Sequence, residues 1–223
     1  MTFTITCCSV AGSHEILVNH IMKHGIDILT ESNEQTKEIT DVKVKIVSPH
    51  ESTRISSKCF MGIMGFTEYA KNLIYGYKAS VVFEYNYNER LRKWGENTIQ
   101  LYNTDVSIDQ IKYIIDKLES QTNSRRALAV TWIPAYDENA DDVPCLQFIQ
   151  CLIRNGQLDM FVLFRSEDIL SAYGQNAYGL TEMQKYIADT LGIPTGDYHH
   201  YIVSAHIYHI RDSYELDKFM KVE

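Results

Sequence analysis

The sequence has no CxxC pair, and its cysteine count is odd: Cys7, Cys8, Cys59, Cys145 and Cys151. Those two features argue against a disulfide framework and against a thiolate zinc site, and they suit a reducing compartment. No metal is expected. No apolar run has the length of a membrane span. No basic stretch precedes an apolar one over Met1–Val10, so no signal peptide is read and a cytoplasmic location is expected. Glycine (11) and proline (4) are scarce, and no repeat, low-complexity tract or linker interrupts the 223 residues. That length suffices for one sizeable core, so a single domain over 1–223 is expected. Positive charge is also short. With 21 Lys+Arg against 29 Asp+Glu, the net charge is -8, which repels nucleic acid polymers and anionic membranes. A small anionic ligand then requires a local cluster of arginines.

What is present mixes helical and strand periodicities without a regular βαβ repeat. Residues 14–24 read as a helix with Ile16, Leu17, His20 and Ile21 on one side. Residues 41–48 alternate as a half-buried strand, 49–65 read as loop, 66–75 as a short helix and 79–84 as strand. Residues 107–120 read as a helix capped by Ser107, with Ile108, Ile111, Ile115 and Leu118 forming its stripe. Residues 127–132 read as a buried strand, 172–191 as a long helix, 198–210 as a strand and 213–221 as a last short helix. The fold class expected is α+β, a mixed β-sheet covered by helices.

Residues 145–165 are two strand-like runs joined by Asn155-Gly156, the strongest short hairpin signal. A two-residue turn there pairs Arg154 with Gln157. Without a bulge, Cys145 then falls opposite Ser166, with Arg165 one step away; a bulge shifts the register by one. Either way a thiol is delivered beside a guanidinium, which favours the nucleophilic thiolate. Taken alone, a packed core thiol and a solvated strand-end arginine explain the same residues.

A set of spaced motifs goes further. Ser124-Arg125-Arg126-Ala127 is followed by Val143-Pro144-Cys145, by Phe164-Arg165-Ser166-Glu167-Asp168, by Asn176, and by Ser204-Ala205-His206-Ile207-Tyr208. In this order and spacing the chain resembles the thymidylate synthases, clearly over about residues 106 to 211. The resemblance runs more weakly back to Phe83-Glu84-Tyr85-Asn86-Tyr87 and is nearest to short archaeal-type members. It implies reductive methylation of dUMP to dTMP, with a methylene-tetrahydropterin such as 5,10-methylenetetrahydrofolate as co-substrate. Cys145 would add to C6 of the pyrimidine, since C5 is a poor nucleophile until a thiolate saturates its neighbour. Arg165 and Ser166 would hold the phosphate, joined by Arg125 and Arg126 from the other subunit of a homodimer. Asn176 would read uracil through an amide that both donates and accepts. His206 and Tyr208, two apart on one strand face, would bind the ribose hydroxyl, Asp168 the pterin ring, and Tyr87 would lie near the proton-transfer site.

The chain departs from the family's pattern at several places. Leu146 stands where many members have histidine, Phe164 and Ser204 replace polar and acidic residues, and Tyr173-Gly174-Gln175 replaces a proline-containing segment. Arg54 or Lys37 is the candidate for an N-terminal phosphate cation, and Glu68 for a water-holding glutamate. The chain stops soon after the nucleotide strand, where longer members continue into a segment that closes over folate. Two alternatives stay open: a pyrimidine nucleotide hydroxymethylase, in which water ends the reaction, and a non-catalytic nucleotide-binding protein.

Overall fold

The structure, a computed structural model, describes residues 2–76, 86–95 and 107–221; the expected strand at 79–84 and Phe83-Glu84-Tyr85 lie outside them. In chain order the described elements are β1 (Phe3–Cys7), α1 (Val10–His24), β2 (Ile26–Leu29), β3 (Gln35–Ile46), α2 (Ile63–Tyr75), α3 (Tyr87–Arg92), α4 (Gln110–Ser120), β4 (Leu128–Val130), α5 (Pro134–Asp137), β5 (Leu146–Arg154), β6 (Gln157–Asp168), α6 (Tyr173–Leu191), β7 (Thr195–Ile207) and α7 (Ser213–Met220). The strands form one mixed sheet in the order β1-β3-β7-β6-β5-β4, with β2 also pairing to β3. β1 with β3 and β6 with β7 are parallel; the other pairs are antiparallel. The α+β class with a mixed sheet is the one the periodicities predict.

The sheet's inner face follows from period-two alternation. Val42, Val44 and Ile46 of β3, Leu158, Met160, Val162 and Phe164 of β6, and Tyr198, His200 and Ile202 of β7 are all buried. Against them pack α1, through Val10, Leu17, Val18 and Ile21, and α6, through Ala177, Leu180, Met183, Ile187 and Ala188. The alternate residues point the other way. Phe161 and Leu163 stay half-buried, and Tyr201 and Val203 are 38% and 53% exposed. That second face is open in the single chain and mixed: an apolar patch of Phe161, Leu163, Tyr201 and Val203 adjoins Lys43, Lys45, Asp197 and His199.

Several local expectations need correction. α1 begins at Val10, with the Ser9 side chain accepting from Gly12 N, and Ile16 lies outside its buried stripe at 43% exposure. β3 starts at Gln35, six residues before the predicted strand; its first half is polar, and pairing on both edges makes it a strand. α4 is capped by Asp109, which accepts from Lys112 N, rather than by Ser107. Ile108 precedes that helix, exposed, in a bridge to Trp94. The 127–132 run is only three residues of edge strand, with Ala129 buried and Leu128 and Val130 at the surface. A run of apolar residues does not reveal that a strand sits at a sheet edge.

Candidate active site

The Asn155-Gly156 turn forms as read: φ is 51° at Asn155 and 75° at Gly156, the left-handed values that such a hairpin requires. Pairing holds from Arg154↔Gln157 to Phe148↔Leu163, and then a bulge gives Leu146↔Phe164. The bulge moves Cys145 from Ser166 to Arg165, whose N–H donates to the Cys145 carbonyl at 2.9 Å. The Arg165 guanidinium then turns back onto the segment before the cysteine, Nε donating to Pro144 O at 3.0 Å and Nη2 to Val143 O at 2.7 Å. Two of its five N–H groups are thus used to shape the cysteine loop, and three are left for a ligand. The side chain is at the surface, where an anion can reach it.

The Tyr87 hydroxyl reaches the residue that follows the cysteine, accepting from Leu146 N at 3.0 Å. Its position is set by α3, which is fixed to α5 by Arg90. That guanidinium pairs with the buried Asp137 carboxylate at 2.7 and 3.0 Å, and Asp137 also accepts from Ile133 N. The cysteine itself is half-buried against the core.

β6 and β7 run in parallel, so their ends arrive together: Ser166 is level with Ser204 and Asp168 with His206. Ser166 Oγ lies 3.3 Å from His206 Nδ1. The His206 and Tyr208 rings meet edge-on at 5.1 Å, and the Arg211 guanidinium covers the Tyr208 ring at 3.8 Å. Burial raises the Tyr208 hydroxyl pKa, partly offset by Arg211. Electrostatic repulsion from Glu34 and Asp168 raises it further. The structure therefore brings together Cys145, Tyr87, Arg165, Ser166, His206 and Tyr208.

Asn176 is 7% exposed near the start of α6, on the stripe of Leu180, Met183 and Ile187. Its Nδ2 donates to Glu167 Oε1 at 2.8 Å, and its Oδ1 accepts from the Tyr69 hydroxyl. Glu167 is buried, with Oε2 2.9 Å from His200 Nε2; the approach is off the N–H direction, an electrostatic contact rather than a linear hydrogen bond. His200 Nδ1 meets the Tyr198 hydroxyl at 3.0 Å. Tyr69, Glu167 and His200 are the residues that sequence reasoning passed over. An acid in a strand and a tyrosine on a helix carry no signal until packing brings them together.

Asp168 has all its acceptor sites in use. Oδ1 receives Leu170 N and Ser171 N, which shapes the turn into α6; Oδ2 receives Ser171 Oγ at 2.5 Å and Arg211 Nη2 at 3.2 Å. Arg125 and Arg126 are exposed and lie elsewhere. Ala127 accepts from Cys151 N, six residues along β5 from Cys145, which at ~3.3 Å per residue is about 20 Å from the thiol. Their own chain cannot bring them to a ligand at Cys145. Arg54 binds Glu182, Thr181 and the Tyr178 carbonyl of α6, Lys37 pairs with Asp27 at 3.1 Å, and Glu68 is exposed.

A mixed sheet that gathers a cysteine, a surface arginine and a His-x-Tyr pair at neighbouring strand ends has a thymidylate synthase-like α+β architecture. The thymidylate synthase family model matches residues 66–217. A protein of Methanocaldococcus jannaschii that carries the name "Putative thymidylate synthase" is 41% identical over 216 residues, 95% of this chain and 93% of its own. Similarly named proteins of Methanosarcina acetivorans and Methanococcoides burtonii are 39% and 38% identical, over 86% and 92% of this chain and 82% and 87% of theirs. The chain belongs to the thymidylate synthase family.

Proposed function

We propose that this protein converts dUMP to dTMP, as a methyltransferase acting in the cytoplasm through all of residues 1–223 as one domain. The observation that carries the reading is the convergence of Cys145 with Arg165, Ser166, His206 and Tyr208, while a buried amide, Asn176, is held within the same strand-end region. Phosphate on the free N–H groups of Arg165 and on Ser166 would fix the nucleotide by its charged end, guanidinium and phosphate matching in shape as well as charge. His206 and Tyr208 would take the ribose hydroxyl. The amide of Asn176 retains one N–H and one lone pair, matching O4 and N3–H of uracil.

With the base so held, the Cys145 sulfur bonds to C6. The C5–C6 π electrons shift toward C5 and O4, and Asn176 donates to the oxygen where charge builds. A reduced methylene-pterin, when bound, supplies the one-carbon unit and the hydride. Asp168 is the residue that would hold it. Its four donors leave no spare lone pair, so a pterin N–H would take the place of Arg211, the most exposed of them, which keeps Asp212 and Glu34 as partners. Tyr87, hydrogen-bonded at the neighbouring amide, would be the hydroxyl that moves the C5 proton. Breaking the C6–S bond at the end restores the thiolate.

The second phosphate contact requires a homodimer. The apolar patch on the open sheet face, Phe161, Leu163, Tyr201 and Val203, is the surface through which two chains would pair, each offering Arg125 and Arg126 to the other's site.

Incubation with dUMP and methylenetetrahydrofolate, with mass analysis of the nucleotide, tests the reading. A gain of CH2 supports methylation. A gain of CH2O assigns the chain to the hydroxymethylases, and no change combined with no covalent adduct to 5-fluoro-dUMP reduces it to a nucleotide binder. Cys145→Ala should lower turnover by at least ~10³-fold while dUMP still binds.

A further inference from the structure

The amide of Asn176 can be placed two ways round, and the two orientations present opposite patterns to a base. With Nδ2 toward the ligand's exocyclic group it meets the O4 of uracil; with Oδ1 there it meets the amino group of cytosine. The base preference of the site therefore depends on what fixes the flip. Two contacts bear on it, one buried and one half-buried. Tyr69, from α2, donates to Oδ1, and Glu167, from β6, accepts from Nδ2 at 2.8 Å. A tyrosine hydroxyl is both donor and acceptor, so it could serve either orientation equally well. A carboxylate only accepts. Glu167 can thus be satisfied by the Nδ2 end alone, and the reverse orientation would set Oδ1 against a carboxylate oxygen in an interior where unpaired polar contacts are costly.

From this we infer that Glu167 is a specificity-determining positioning residue: it locks the Asn176 amide in the uracil-reading orientation, with Tyr69 as an anchor that has no orientational preference. The inference rests on Asn176 being the base reader. Glu167 is suited to this by its surroundings. Its side chain is 1% exposed, it is held opposite His200, and it belongs to the strand whose neighbouring residues, Arg165 and Ser166, face the proposed phosphate. One strand would in this way fix both ends of the nucleotide, the charged end directly and the base end through one intermediary amide.

The test is equilibrium binding of dUMP and dCMP, without co-substrate, to the full-length protein and three variants. Wild type is expected to prefer dUMP. Glu167→Gln presents an amide that can donate as well as accept, so the preference should fall about tenfold or more, largely by tighter dCMP binding. Glu167→Asp keeps the charge beside His200 but draws it back from Asn176 by one methylene, and should also lower the preference; it serves if Glu167→Gln does not fold. Tyr69→Phe should weaken both nucleotides and leave their ratio within about twofold. An unchanged ratio in the folded Glu167 variants, with both affinities reduced equally, would mean a merely structural carboxylate and would overturn the inference. A wild type that does not discriminate would instead sink the reading of Asn176, and this inference with it.

Discussion

At the scale of single residues, burial decides which cysteines and histidines are chemically available. Desolvation pushes the Cys151 thiol up to about 12 and that of Cys59 to about 11, and it also raises Cys7. These thiols are held as neutral, unreactive groups. Cys145 differs by position, at the mouth of a bulged hairpin beside an arginine, and not by composition. His14 shows the same physics from the base side. Enclosed by Tyr173 and Phe219, its imidazole is pulled down to about 4. Its pKa is lower folded than unfolded, so between pH 6.5 and 4 the unfolded chain binds the extra proton and stability falls as pH falls. The difference between 6.5 and about 4 corresponds to about 3 kcal/mol across that window. Urea midpoints measured from pH 7 to 4 should drop accordingly, and His14→Phe should flatten that part of the profile; an unchanged slope would show that His14 is not the group responsible.

At the scale of elements, the site depends on close approaches that only particular side chains permit. α2 comes near enough to α6 for Tyr69 to reach Asn176 because Gly179 has no side chain. A Cβ there would sit 2.9 Å from the Tyr69 ring and 3.2 Å from Leu73. Gly179→Ala gains helix propensity of up to about 1 kcal/mol but forces that ring to move, and overpacking of this kind costs about 1–3 kcal/mol. The expected outcome is a lower urea midpoint together with weaker dUMP binding, since the displaced hydroxyl loses Asn176. A variant with full affinity would show that Tyr69 is not an anchor. The bulge in β5 is a second device of this scale. One extra residue at Gln147 changes which backbone group faces Cys145 and turns Arg165 toward the cysteine loop.

At the scale of the whole molecule, the proposed homodimer draws on the apolar patch of the open sheet face and on the distant Arg125-Arg126 pair. Val203→Asp, which places a charge on the apolar patch, should yield a monomer by ultracentrifugation with activity largely lost. Complementation gives a sharper measurement. Cys145→Ala and Arg125→Ala/Arg126→Ala proteins should each be nearly inactive, but in a mixed dimer one site receives an intact cysteine from one chain and intact arginines from the other. Co-refolded mixtures should recover a substantial fraction of wild-type turnover. Mixtures as inactive as their components would exclude shared sites.

Read alone, the amino-acid sequence determined what depends on local order. The Asn155-Gly156 turn sets the hairpin, period-two alternation sets the inner faces of β6 and β7, and the spacing from Arg125 to Tyr208 carries the family resemblance. The Cys145–Arg165 neighbourhood was legible for the same reason, since two strands joined by a two-residue turn have a countable register. Tertiary structure alone decided the rest. Neither the bulge that selects Arg165 over Ser166 nor the edge position of β4 is written in a short run of residues. The set of half-buried Tyr69 and buried Asn176, Glu167 and His200 comes from four elements, of which only β6 and α6 are consecutive in the chain. The polarity of a buried amide is set by whichever partners reach it, and those partners meet only once the helices have packed on the sheet.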